Sequence, residues 1–181
     1  KRFMELMVLP HIEDENQRQR AFDELPVSGA GRTVMTTQPK FVPNEAALIH
    51  LRDQASFRVR LVDCVGYLVT GALGTQENET ARMVRTPWFD HDIPFEQAAE
   101  IGTRKVIREP STIGVVVLTD GSITDIPRSA YLDAEERVIG ELKALEKPVV
   151  VLLNSAHPQD AETRRLRESL EKQYAVPVMA L

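Results

Sequence analysis

Three short segments of this 181-residue chain carry residue types and spacings that suit phosphate chemistry. The first is Asp63-Cys64-Val65-Gly66, an Asp-x-x-Gly that closes the alternating run Phe57–Asp63. An aspartate at the end of such a strand can reach the hydration shell of a Mg2+ held by nucleotide phosphates. A glycine three residues later lets a backbone N–H approach a γ-phosphate with no side chain in between. The same residues also suit a strand end that merely runs into a turn. The second segment is Thr33-Val34-Met35-Thr36-Thr37-Gln38-Pro39-Lys40. There Thr36 and Thr37 offer hydroxyl and carbonyl oxygens, the hard ligands Mg2+ prefers. A polar loop ahead of an edge strand would look alike.

The third is Asn154-Ser155-Ala156-His157, directly after the apolar run Val149–Leu153. Guanine-reading proteins place Asn-Lys-x-Asp at such a point, and its carboxylate accepts two hydrogen bonds from the base. Asn154 keeps the first position, but Ser155 and His157 replace the lysine and the aspartate. An imidazole cannot act as a two-pronged acceptor, so guanine selectivity is expected to be lost. Turn-forming residues ahead of Pro158 give an equal, purely structural account of this segment.

Other chemistry is poorly supported. His11, His50, His91 and His157 are scattered without the spacing of a zinc site. Gly29-Ala30-Gly31 does not follow a strand, which a dinucleotide fingerprint requires. Cys64 reads as a small packed residue rather than a nucleophile. No Gly-x-x-x-x-Gly-Lys-Ser/Thr occurs in the sequence.

The elements that must hold these segments follow from periodicity. Lys1 to Leu9 reads as the body of a helix with no residue to cap it. A long polar stretch runs from Glu13 to Lys40. Ala46–Leu51 and Phe57–Asp63 read as two strands joined across Asp53–Ser56, the second alternating apolar residues with Arg58 and Arg60. The residues from Gly66 to Pro94 are loop-rich, and Glu96–Arg108 is helical. Thr112–Thr119 is a continuous β-branched run, expected of a parallel strand covered on both faces. The next helix carries Tyr131, Ala134, Val138, Leu142 and Leu145 at helical spacing, with Ser129 as its expected N-cap. Val149–Leu153, Asp160–Tyr174 and Val176–Ala180 complete a strand–helix–strand–helix–strand order, the pattern of a doubly wound sheet. The fold class is therefore α/β, with a mostly parallel sheet preceded by one antiparallel hairpin.

Composition sets the outer limits. Hydrophobic residues make up 43% of the chain and charged residues 27%, as in globular proteins, and the length suits one domain. Twenty-two basic against 27 acidic residues give a net charge of −5 without basic clusters, which argues against a nucleic-acid partner. A single cysteine excludes an internal disulfide and points to a reducing compartment. The apolar runs are too short to span a bilayer.

Several of these runs resemble the stage IV sporulation protein A family. They include Phe3-Met4-Glu5-Leu6, Asp23-Glu24-Leu25-Pro26, Met35-Thr36-Thr37 with Pro39-Lys40-Phe41-Val42-Pro43, and Arg60-Leu61-Val62-Asp63-Cys64-Val65-Gly66-Tyr67. Thr86-Pro87-Trp88, Ala98-Ala99-Glu100-Ile101-Gly102-Thr103-Arg104-Lys105-Val106-Ile107 and Ala134-Glu135-Glu136-Arg137-Val138-Ile139 extend the resemblance along the chain. It implies a three-layer phosphate-loop NTPase fold over residues 1–181, of the translation-factor type, that hydrolyses ATP. Thr36 and Thr37 become the switch threonines and Asp63 the magnesium-linked aspartate. Gly66 becomes the γ-phosphate amide, while Asn154 is a candidate nucleotide contact by its place after Val149–Leu153 alone. Mg2+ is the implied ion, with Thr37 and Asp63 as its protein side.

The same resemblance implies self-assembly into a homopolymer, the basement layer of the spore coat, on the mother-cell cytoplasmic side of the outer forespore membrane. A small amphipathic membrane peptide recruits the layer and coat proteins dock on it, so the protein is peripheral to the membrane rather than transmembrane. The family's first strand and Gly-Lys-Ser-Thr loop are expected just before Lys1, and its middle and C-terminal regions beyond Leu181. Taken alone, these residues are expected to show a gap beside Thr112–Thr119, to fold incompletely and to bind nucleotide poorly. Two other functions stay open: a nucleotide-independent scaffold whose switch elements are idle, and an ordinary GTPase, which Ser155 and His157 disfavour.

Overall fold

The computed structural model describes residues 1–25, 39–50, 55–77 and 80–181. Thr36, Thr37, Gly29, Gly31 and part of the expected hairpin turn lie outside the described residues. Those described form two compact units, one ending at Cys64 and the other running from Val65 to Leu181.

The first unit is built on a hairpin. Strands β1 (Lys40–His50) and β2 (Ser56–Asp63) pair antiparallel from Lys40 opposite Asp63 to His50 opposite Ser56. β1 begins well before the expected Ala46. The register shifts between Val42 and Ala47, which is where Pro43, with no N–H to give the ladder, can be accommodated. The alternation expected of β2 holds only in part. Val59 and Leu61 pack against the core, but Phe57 is exposed.

The polar stretch after Glu13 contains a helix, α1 (Glu15–Asp23). Asp14 caps it, its carboxylate accepting the Gln17 N–H at 2.7 Å and so satisfying a donor the first turn leaves free. Ala21 is the one residue α1 buries, so the helix shows almost no apolar period. The expected helix over Lys1–Leu9 is instead a π-helical turn (Met4–Val8) followed by a 3-10 turn (Leu9–His11). Met4, Val8, Leu9 and Ile12 join Ala21, Leu25, Val42, Ala47 and Ile49 in this unit's core, while Leu6 and Met7 face solvent.

The second unit opens with two minimal hairpins, β3 (Gln76–Glu77) with β4 (Thr80–Ala81) and β5 (Met83–Val84) with β6 (Ile93–Pro94). Helix α2 (Phe95–Arg108) follows and buries Phe95, Ala98, Ala99, Gly102, Thr103, Val106 and Ile107, one face at three- and four-residue spacing. Next come β7 (Gly114–Thr119), α3 (Leu132–Ala144), β8 (Val149–Asn154), α4 (Ala161–Tyr174) and β9 (Val178–Ala180). The three strands form one sheet in the order β7-β8-β9, and both pairings are parallel. This is the parallel α/β arrangement the strand–helix alternation predicts. The hairpin β1-β2 forms a separate sheet.

Val116, Leu118, Val151, Leu153 and Val178 bury one face of this sheet against Ile139 and Leu142 of α3 and Leu170 and Tyr174 of α4. Beneath them lies a charged group. Glu135, 2% exposed, meets Arg128 at 2.5 Å and accepts the Tyr174 hydroxyl at 2.9 Å, so the buried charge is paired. The Arg128 contact is ionic, its angles falling outside hydrogen-bond alignment. Lys147 sits at the negative end of α2, its ammonium donating to the carbonyls of Ile107, Arg108 and Ser111.

Two expectations need correction. α3 starts at Leu132 after a 3-10 turn over Arg128–Tyr131, so Ser129 lies within that turn and Tyr131 takes the cap position. β7 is not covered on both faces: Val117 is 66% exposed, and among the described residues β7 pairs along one edge only. Its run of β-branched residues reports strand propensity, which the sequence shows, and not coverage, which depends on neighbours.

Candidate functional site

Asp63 is the last residue of β2, exposed and paired across the hairpin with Lys40. A carboxylate held at a strand end and open to water is well placed to act through a hydrated ion. Mg2+ keeps several waters and takes only one or two protein carboxylates beside substrate phosphates, so Asp63 fits such a role. Among the described residues no group of three or more His, Cys, Asp or Glu could hold a metal ion by itself.

Gly66 lies next to Val65 near the start of the second unit with φ at +82°, a conformation that favours glycine. Space is not the reason for glycine, because an added Cβ would meet nothing within 4 Å. Its peptide is held by Thr103 of α2. The Gly66 N–H donates to Thr103 Oγ1 at 3.1 Å, and the same hydroxyl donates to the Gly66 carbonyl at 3.1 Å. Thr103 itself is 2% exposed.

Tyr67 continues the anchorage. Its hydroxyl donates to Glu141 Oε2 of α3 at 2.5 Å, and its ring lies under the Arg137 guanidinium, 4.1 Å from the ring centre. Arg137 in turn grips Glu100 of α2 with two nitrogens at 2.7 and 2.9 Å. Burial, with the Glu141 bond second, pushes the Tyr67 phenol up to about 12, so it stays a donor at neutral pH. The Arg137 hydrogen bond holds the Glu100 carboxyl below its ordinary range.

Asn154 ends β8 opposite Thr119, half-buried, and its carbonyl accepts the Asp120 N–H at 3.4 Å. The residues around it knit together the carboxyl ends of all three parallel strands, where open α/β sheets bind ligands. Asp120 Oδ1 accepts from the Ser122 N–H at 2.9 Å and from its hydroxyl at 2.5 Å. Ser122 Oγ accepts the Ala156 N–H at 2.8 Å, and the Ser155 N–H reaches the Leu181 carbonyl at 3.1 Å. Burial pushes the Asp120 carboxyl up, but hydrogen bonds from Ser122 and Ser155 outweigh it and leave the group below its usual value. Ser155, fully buried, accepts the His157 N–H at 2.9 Å, while His157 is exposed. The serine therefore builds the loop, and the imidazole is open to a ligand or to water.

The sequence-derived residues fall into three groups. Thr36 and Thr37 lie outside the described residues. Asp63 belongs to the first unit, and Gly66 and Asn154 to the second. Sequence reasoning missed Thr103, Tyr67, Arg137 and the Asp120–Ser122 turn. Thr103 carried one usable signal, a hydroxyl at a core position of an otherwise apolar helix face between Ala99 and Val106. Arg137 and Glu100 are far apart in sequence, and nothing local announces their pairing.

The family model described as Stage IV sporulation protein A, ATPase domain, matches residues 1–181. The chain is 56% identical to the stage IV sporulation protein A of Bacillus subtilis (strain 168) over 181 residues, covering all of this chain and 37% of that protein. Identity is 55% to the Bacillus anthracis protein of that name and 52% to the Clostridioides difficile one, with the same coverage. The chain thus spans little more than a third of the length of these relatives. No solved structure matches it.

Proposed function

The chain belongs to the stage IV sporulation protein A ATPase-domain family, and on that premise we propose that it carries the magnesium and γ-phosphate switch of an ATP-hydrolysing sporulation protein. The observation that carries the reading is Asp63 at the exposed end of β2, followed three residues on by Gly66 at φ +82°. Phosphoryl transfer asks little covalent chemistry of the protein and depends on positioning and charge. In this reading Asp63 orients water around a bound Mg2+, and the Gly66 N–H binds a γ-phosphate oxygen. Thr36 and Thr37 supply switch oxygens, and Asn154 lies along the nucleotide. A bound Mg2+ would supply charge neutralisation on the phosphates.

The finer fold belongs to the same proposal. A three-layer phosphate-loop NTPase places a further strand, with its phosphate-binding loop, beside β7. Among the described residues β7 pairs along one edge only, which supports that placement. Assembly into a homopolymer at the base of the spore coat, recruitment by a small amphipathic membrane peptide and docking of coat proteins complete the proposed role. It would act on the mother-cell side of the outer forespore membrane. Among the described residues no helix is long and apolar enough to cross a membrane.

One observation favours the alternative of an idle scaffold: the Gly66 amide already has a partner in Thr103. Nucleotide binding by the full-length protein separates the two. We expect Mg2+-ATP to bind and GTP to compete weakly, because His157 stands where a guanine-reading carboxylate would. A hydrogen-bonded acceptor can be worth roughly 10⁴-fold in such recognition. Displacement of ATP by an equal concentration of GTP would overturn the ATP assignment, and absence of any nucleotide binding would establish the scaffold.

A further inference from the structure

Thr103 is buried on α2, and its hydroxyl reaches out of the helix to both polar groups of the Gly66 peptide, accepting from N–H and donating to C=O at 3.1 Å each. We propose that Thr103 is a positioning residue that latches the switch glycine in its phosphate-free position and is displaced from the Gly66 N–H when a γ-phosphate oxygen binds there. The inference rests on the reading of Gly66 as the γ-phosphate amide and deepens it.

The geometry around the glycine supports a local exchange rather than a wholesale rearrangement. Gly66 has open space where a side chain would be, so its peptide has room to turn. Its neighbour Tyr67 is fixed at the hydroxyl by Glu141 and at the ring by Arg137. Chain beyond the glycine is therefore anchored to α3, and the Thr103 contact is the bond that can be traded. A phosphate oxygen is a charged acceptor and forms a stronger bond to an amide than a neutral hydroxyl does. The N–H carries one proton, so phosphate and Thr103 compete for it.

That competition has a sign. In the phosphate-free state Thr103 satisfies the Gly66 N–H; in the γ-phosphate state the ligand does. Removing the hydroxyl raises the free energy of the first state more than the second. ATP has the γ-phosphate and ADP lacks it, so the latch opposes ATP alone. Thr103→Val keeps the side chain's shape and deletes the hydroxyl. It should strengthen binding of a non-hydrolysable ATP analogue relative to ADP by about 5-fold, the effect of one ordinary hydrogen bond. Thr103→Ser keeps the hydroxyl and should leave the ratio at its wild-type value.

The test is titration calorimetry of the full-length protein, wild type and both variants, with the ATP analogue and with ADP in Mg2+ buffer. A rise in the ADP-to-analogue ratio of dissociation constants in Thr103→Val, restored in Thr103→Ser, supports the latch. A purely structural threonine would lower the melting temperature and shift both affinities by one factor, and that result, or a fall in the ratio, overturns the latch while leaving the ATPase reading intact. Should Thr103→Val not fold, Thr103→Cys, whose thiol is a weak donor and acceptor, gives the same comparison. A wild-type protein that binds neither nucleotide overturns the proposed function, and the latch with it.

Discussion

The guanidinium of Arg137 covers the ring of Tyr67 at 4.1 Å while its nitrogens hold Glu100, so the residue after Gly66 is tied to α2 and α3 at once. Arg137 suits this position because its flat, delocalised cation can stack on a ring and bind a carboxylate with two parallel bonds in one geometry. Arg104 closes the cluster from α2, with Nε at 3.7 Å from Glu141. The contact is half-buried, so its strength depends on the charge states of its members.

Those charge states give a pH prediction with opposite signs at the two ends. Burial and the Glu141 bond raise Tyr67 from 10.0 to about 12. A raised group contributes stability that is fully present below its unfolded value and is lost as pH rises through its folded one. Stability should therefore fall between pH 10 and about 12, and Tyr67→Phe should flatten that fall. Glu100 is held below its ordinary value of 4.5 by Arg137, so its contribution is present above that value and lost as pH drops below it. Glu100→Gln should flatten the acid side. Urea midpoints measured across both ranges check this, and variants that follow the wild-type curve would contradict it.

Gly114, the first residue of β7, gives a packing prediction. A Cβ there would meet the Leu142 methyls at 2.7 and 2.8 Å and its Cγ at 3.3 Å. Leu142 is itself buried in the core and must be pushed aside within a packed interior. Gly114→Ala should destabilise by about 1–3 kcal/mol, the usual cost of overpacking. Denaturant unfolding reads it, and shortening Leu142 to Val in the same chain should recover part of the loss. An unchanged midpoint for Gly114→Ala would show that the strand does not pack against α3 this closely.

Much of the architecture was legible in the sequence because it is local. β8 and α4 announce themselves by apolar runs and helical periods, and their order alone implies parallel crossovers. What failed was not local. Val117 belongs to a strand-forming run, but its exposure depends on what covers that face of β7. α1 buries so little that only the Asp14 cap and Gln17 three residues later mark it. The site divides the same way. Asp63 and Gly66 are candidates by their spacing after a strand alone, whereas Thr103 and Arg137 reach Gly66 and Tyr67 across the fold. A polar residue inside an apolar helix face was the single clue to Thr103.

ATP turnover by the full-length protein is the most direct test of the ATP-hydrolysing switch proposed for this chain. The wild type should release phosphate from ATP in the presence of Mg2+ and not after its removal. Thr36→Ala with Thr37→Ala should keep ATP binding and lower turnover by at least about tenfold, because switch oxygens position the attacking water and the ion. Undiminished turnover in the double variant would remove both threonines from the mechanism. No Mg2+-dependent turnover by a folded, ATP-binding wild type would overturn the proposed ATP-hydrolysing function.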